Sequence, residues 1–154
     1  MTIRSLTPFP PAAAGTGSGE FVADAMVTCP TTHGLDTAVD EIRAFFVDDH
    51  VHMALIVAAG RRLVTTIERP DLPASSSRLS RAAELGTLTG RTVGPSSALY
   101  AVTAALLRDR RRRLAVVDDR GRVLGLLCLK KTGTGYCSDG DVRERAEEAG
   151  RLRG

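Results

Sequence analysis

The chain has 154 residues, 43% of them hydrophobic and 25% charged, which suits one compact domain or two small repeats sharing a core. With no Trp, two Tyr and four Phe, broad aromatic stacking is excluded, and much of the +3 formal charge lies in one run, "RDRRRR" (108–113). Three cysteines without paired spacing (Cys29, Cys128, Cys137) argue against a disulfide framework or a C-x-x-C zinc site, and no apolar run reaches the roughly 18 residues of a membrane span, so a soluble cytoplasmic protein is expected.

Residues 1–19, rich in Pro, Ala, Gly, Ser and Thr, read as a flexible leader that cannot offset its own ordering entropy. "FVADAM" (21–26) is a short helix candidate. "GLDTAVDEIRAFFVDDH" (34–50) has the helical period, with Leu35, Ala38, Val39, Ile42, Phe45 and Phe46 on one face. "MALIVAAG" (53–60) predicts a buried strand and turn, and "RLVTTI" (62–67) a second strand rich in β-branched residues. "ERPDL" then begins a short helix or turn.

A Ser/Ala-rich linker follows (73–85), and the pattern returns. "ALYAVTAALLRDRRRR" (98–113) predicts a helix with Leu99, Val102, Leu106 and Leu107 on its apolar face. "LAVVDDRG" (114–121) and "RVLGLLCL" (122–129) are the next two strands. Aligning Leu35 with Leu99 and Gly60 with Gly121 gives offsets of 64 and 61, which implies three extra residues in the first copy around "VDDHV". A two-strand unit cannot cover its own apolar surface, but two copies packed together can. The tail (132–154) lies outside the repeats. Ser138 resembles a helix cap, and "TGTG" is either a flexible turn or a weak phosphate cradle.

The doubled unit resembles the cystathionine-β-synthase (CBS) domain. "LAVVDDRGRVLGLLCLKK" is similar to the family's "hLPVVDDDG…rlvGivTrxDl", and "MALIVAAGRRLVTTIERPDL" matches more loosely. "VADAMVT" (22–28) and "GRTVGPSSAL" (90–99) resemble the segments that lead into the family's repeats, so the likeness spans about residues 20–131. It implies an α/β (α+β) fold: a tandem CBS pair of two pseudo-symmetric β-α-β-β-α repeats, 20–73 and 85–131, joined by 74–84 and known as a Bateman module.

The resemblance also implies a cleft between repeats that takes AMP, ADP, ATP or S-adenosylmethionine. The Asp of the family's T-x-x-D motif holds the ribose hydroxyls as a charge-assisted acceptor. Here "E-R-P-D" puts Asp71 in that place and Glu68 on the Thr; "C-L-K-K" puts Cys128 on the Thr and Lys131 on the Asp. Lys has donors and no acceptor, so one nucleoside site at most, around Asp71, is implied. Arg112 and Arg113 stand where the family binds phosphate, with His52 matching Arg113 in the first copy. Thr66, Ile67, Thr92 and Val93 stand where adenine is enclosed.

Each residue has a plainer reading. Asp71 and the arginines suit helix ends through the dipole. His52 is otherwise an ordinary packed or exposed histidine, Thr66, Ile67 and Val93 are strand packing, and Cys128 is a small buried hydrophobe. Gly125 admits a close backbone, from ligand or from the other repeat.

No triad or metal spacing such as H-E-x-x-H is present, so an enzyme is not expected. Nucleic-acid binding through the Arg run is not expected either, because no recognition-helix pattern accompanies it. The functional expectation is a stand-alone, homodimeric sensor signalling to a separate effector protein. The alternative is a degenerate, ligand-free pair acting as a scaffold.

Overall fold

The computed structural model describes residues 20–28, 30–73, 80–133 and 135–139. The leader 1–19, Cys29, most of the linker and the tail beyond 139 lie outside them.

Two three-stranded sheets carry the fold. The first half contains helix α1 (Val22–Ala25), strand β1 (Thr32–His33), helix α2 (Val39–Phe45) and strands β2 (Ala54–Val57) and β3 (Leu63–Ile67). The second contains β4 (Thr92–Val93), α3 (Leu99–Asp109), β5 (Arg113–Val117) and β6 (Val123–Cys128). The sheet orders are β1-β2-β3 and β4-β5-β6, with the first pair of each parallel and the second antiparallel.

The central strands β2 and β5 are covered on both faces, which explains their unbroken apolar runs. Their side chains alternate between two environments. Ala54 and Ile56 enter a core with Ile42 and Phe46 of the α2 region, and Leu114 and Val116 enter its counterpart with Leu99, Val102 and Leu106 of α3. Leu55 and Ala115 point the other way, into a shared layer with Met53, Leu63 and Val123 that joins the two sheets.

The internal repeat is more regular than the sequence alignment suggests. Thr32 pairs with Leu55 and Thr92 with Ala115, a shift of 60 at both partners, and the bulges at Ile56/Val57 and Val116/Val117 keep that shift. The first copy therefore has no three-residue insertion. Two features mislead the eye. Leu35 lies in an exposed turn ahead of α2, so it is not a helix-face residue. In the β2–β3 turn Gly60 and Arg61 both take left-handed backbone (φ 73° and 63°), and it is Arg61 that matches Gly121 (φ 79°). His52 accordingly corresponds to Arg112, not to Arg113.

The lead-in segments are exchanged between halves. Phe21 bridges Ala98 and Val27 bridges Leu126, while Arg81 bridges Ala38 and Thr87 bridges Thr66. Val22 is buried in the second half's core and Ala82 in the first half's. This exchange shortens α2: Ala38 is extended (φ −82°, ψ 155°) to reach Arg81, so the helix begins only at Val39 and not at 34. It also accounts for two glycines. A Cβ on Gly86 (φ +76°) would lie 1.9 Å from the Thr66 carbonyl oxygen, and one on Gly125 would lie 2.5 Å from that of Val27. Gly125 thus makes room for the lead-in segment of the other repeat.

Helix α3 ends at Asp109 rather than at 113. Arg110 takes the left-handed conformation (φ 57°, ψ 39°), and the Arg111 N–H returns to the Leu106 carbonyl at 2.8 Å, which closes the last turn. Leu107 is 54% exposed, so it lies off the apolar face assigned to it from the sequence.

Candidate functional site

That stop after Asp109 builds the site. Arg110, Arg111 and Arg112 leave the helix as a link into β5, and Arg113 opens the strand. They line a cavity of about 390 Å3 facing His52, Glu68, Arg69 and Pro70 of the first half, with Asp109 at the helix end. Five arginines therefore stand against two carboxylates in its wall. Two of the guanidinium groups are held by backbone carbonyls. Arg112 Nε donates to Leu129 O (3.1 Å), and Arg69 Nη2 donates to Phe46 O (2.7 Å) and Asp48 O (3.0 Å) while lying over the Phe46 ring. Such bonds fix the heads without cancelling their charge. Burial first, then the charges of Arg113, Arg112, Arg69 and His50, lower the His52 pKa to about 4, so His52 is neutral at pH 7.

Beside this cavity lies an ion-pair network that the sequence did not disclose. Arg91, immediately before β4 and buried, donates from Nη1 to Asp71 Oδ2 (2.6 Å) and from Nη2 to Oδ1 (3.3 Å). Its Nη1 also reaches Thr66 O (3.2 Å), its Nη2 lies 3.4 Å from Glu68 Oε1, and its Nε is buried with no acceptor among the described residues. Arg111 Nη1 donates to Glu68 Oε2 at 3.0 Å. The Glu68 backbone N–H donates to Asp71 Oδ2 at 2.8 Å, closing the 3-10 turn Arg69–Asp71. Partial burial works to raise the Asp71 pKa. The Arg91 hydrogen bond, the Glu68 amide and the charges of Arg91 and Arg111 outweigh it and hold the carboxyl below the usual range.

The sequence-predicted residues thus divide. His52, Glu68, Arg112 and Arg113 come together at the cavity, with Asp71 behind Glu68 in the network. Thr66 and Ile67 are fully buried, and the Thr66 hydroxyl donates to Thr87 O (2.6 Å). Val93 lies in the second core; Thr92, half-buried on β4, pairs with Ala115. Cys128 faces away, with its Sγ 2.8 Å from Cys137 Sγ, where Cys137 folds back on β6 and its N–H donates to Cys128 O (2.8 Å). Lys131 is exposed at the place equivalent to Asp71, and Thr31 stands where the second half has Arg91.

The residues that sequence reasoning misses are Arg91, Arg69, Arg110 and Arg111. The last two are visible within the Arg run; Arg91 is a lone charge in an otherwise uncharged segment, "LTGRTVG" (88–94).

No family model matches the sequence, and no curated protein gives a significant match. Solved structures do match. The CBS domains of a transcriptional regulator from Streptococcus pneumoniae superpose with a TM-score of 0.61 at 13% identity, over 81% of this chain and 98% of that one. CBSX2, crystallised with AMP, gives 0.62 at 24% identity over 85% and 98%. The CBS pair of MJ0100, in complex with 5′-methylthioadenosine and S-adenosyl-L-methionine, gives 0.57 at 17% over 84% and 98%. The fold of this chain is that of a CBS-domain pair. Among the described residues no helix is long and apolar enough to cross a membrane.

Proposed function

We propose that this chain is a regulatory, non-enzymatic CBS-pair module whose cationic inter-repeat cleft takes an adenosine-containing nucleotide through its phosphates. The observation that carries this reading is the cavity of about 390 Å3 with five arginines in its wall, where the two halves meet. The AMP complex of a structurally similar CBS pair supports the ligand class. The output would pass to a separate effector that distinguishes two states of the module, which the ligand must bind with different affinity. Tyr100, Ala104 and Leu107 form an exposed stripe on α3, suited to homodimer packing.

The test is a thermal-shift panel with AMP, ADP, ATP and S-adenosylmethionine, repeated on Arg112→Gln. A ligand at about a hundred times its Kd adds roughly 2.7 kcal/mol, or about 5–10 °C for a chain of this size. A shift that the variant abolishes is the expected result. No shift from any compound would favour the second reading, a ligand-free scaffold. One observation speaks for that alternative: Asp71, the acid the family pattern assigns to ribose, is already held by Arg91.

A further inference from the structure

We infer that the cleft recognises a polyphosphate group as such, and reads neither the ribose nor the base attached to it. The inference rests on the reading above that the cleft binds an anion, and it names which part of the ligand is recognised.

A ribose acceptor needs lone pairs to spare. Asp71 has too few: Oδ2 accepts from Arg91 Nη1 and from the Glu68 amide, and Oδ1 accepts from Arg91 Nη2. A carboxylate offers about four acceptor positions, so at most one remains for the two hydroxyls of a diol. Releasing Arg91 is no easy alternative. Its side chain is 9% exposed, it also donates to Thr66 O, and parting it from Asp71 would strip a buried guanidinium of its main partner. The equivalent place in the second half, Lys131, is a donor and cannot substitute.

The base fares no better. Thr66, Ile67 and Val93 are packed inside the protein, at 0, 0 and 1% exposure. Among the described residues, the cavity wall holds no aromatic side chain except His52 and no large aliphatic one.

What remains is charge. The one carboxylate that would repel phosphate from the first half, Glu68, has its two oxygens turned to Arg111 and Arg91. Arg69 and Arg112 are fixed by carbonyls that leave their charge uncancelled, and Arg110 extends from the helix end. Guanidinium groups match the oxygens of phosphate in paired geometry. Cations around His52 help to keep it neutral, so an incoming polyanion would also draw a proton onto its ring.

Calorimetry on the full chain at fixed ionic strength tests this with ATP, GTP, 2′,3′-dideoxy-ATP, inorganic tripolyphosphate and adenosine. The expected Kd values for the four polyphosphates agree within about threefold, a difference of only about 0.7 kcal/mol, and adenosine gives no binding. Arg110→Gln and Arg112→Gln each weaken tripolyphosphate by about tenfold or more. Arg110→Gln alters an exposed residue, so it separates loss of binding from loss of folding. A site that held the diol would reject the dideoxy compound by about a hundredfold or more. That result, or ATP binding without tripolyphosphate binding, overturns the inference and leaves the nucleotide reading standing. Silence from every compound overturns both. Tripolyphosphate binding unchanged in both variants places the anion elsewhere and overturns the inference.

Discussion

The two halves of this chain share a backbone and differ in chemistry at the places where their sheets end. At the first, Asp71 and Glu68 meet Arg91 and Arg111, and a basic link, Arg110 to Arg113, faces them. At the second, Lys131 and Cys128 stand in the equivalent positions, Thr31 replaces Arg91, and His50, Val51 and His52 replace the first three arginines of the link. The shift of 60 residues holds across both, so the difference owes nothing to the fold. A duplicated scaffold fixes where side chains stand, and function then depends on which charges occupy those places.

The exchanged lead-in segments are where this comparison is easiest to break. Gly86 in the second lead-in corresponds to Met26 in the first, yet only Gly86 has a left-handed backbone with no room for a Cβ. Gly86→Ala sets a methyl 1.9 Å from the Thr66 carbonyl oxygen and forces movement of β3 or of the lead-in. A loss of about 3 kcal/mol or more is expected in urea unfolding, larger than for most single substitutions. An effect below about 1 kcal/mol would mean that the lead-in segments are not held against the sheets as described.

Much of this architecture is legible in the sequence, and the reasons are local. The apolar runs of β2 and β5 and the 3.6-residue period of α3 are patterns that one short stretch carries by itself. The exchange of lead-ins is not local. Nothing in "PTTHG" (30–34) or in "VADAM" (22–26) says which sheet the segment will meet, and so Ala38 reads as part of a longer α2. The Arg run reads as continuing a helix, because arginine is a good helix former and only a left-handed backbone at Arg110 breaks it. The pairing of Asp71 with Arg91 spans twenty residues and both halves, and a lone Arg before a strand gives no sign of its partner. Of the candidate residues named for charge, His52, Glu68, Arg112 and Arg113 reached the cavity, Asp71 entered the ion-pair network beside it and Lys131 stayed exposed, whereas Thr66, Ile67 and Val93, named for enclosing adenine, went into the core.

A smaller effect sharpens the contrast between His52 and its counterpart Arg112. Because the His52 pKa is about 4 in the folded chain and 6.5 as the ordinary value, the unfolded state binds more protons between those limits. The contribution of His52 to stability is therefore expected to be fully present above about pH 6.5 and to be lost as the pH falls toward about 4. Burial lowers the His33 pKa in the same direction, so the wild type alone cannot apportion the slope. His52→Gln should flatten the fall between about pH 7 and about pH 4.5 relative to the wild type, as read from urea midpoints. An unchanged slope would show that His52 does not sit among those cations.

The smallest effect separates stability from charge within the basic link. Arg110 is non-glycine in left-handed backbone, while the equivalent His50 is not. Arg110→Gly relieves that conformation and should leave the protein as stable or up to about 1 kcal/mol more so, despite glycine's greater freedom when unfolded. The same change removes one cation from the cleft. A variant that melts no lower yet binds tripolyphosphate less tightly is the expected outcome; a clear loss of stability would show that the Arg110 side chain has a structural role.

The central claim is that Asp71 belongs to Arg91 and not to a ligand. A double-mutant cycle of Asp71→Asn and Arg91→Met, read by urea unfolding without ligand, tests it most directly. Both side chains are largely buried, at 21% and 9% exposure, and meet through two hydrogen bonds. A coupling of at least about 1 kcal/mol is expected, with Arg91→Met the more damaging single change because it leaves both Asp71 and Glu68 short of a partner. A coupling within about 0.3 kcal/mol of zero would mean that the two groups do not depend on each other, and Asp71 would again be open to a ribose.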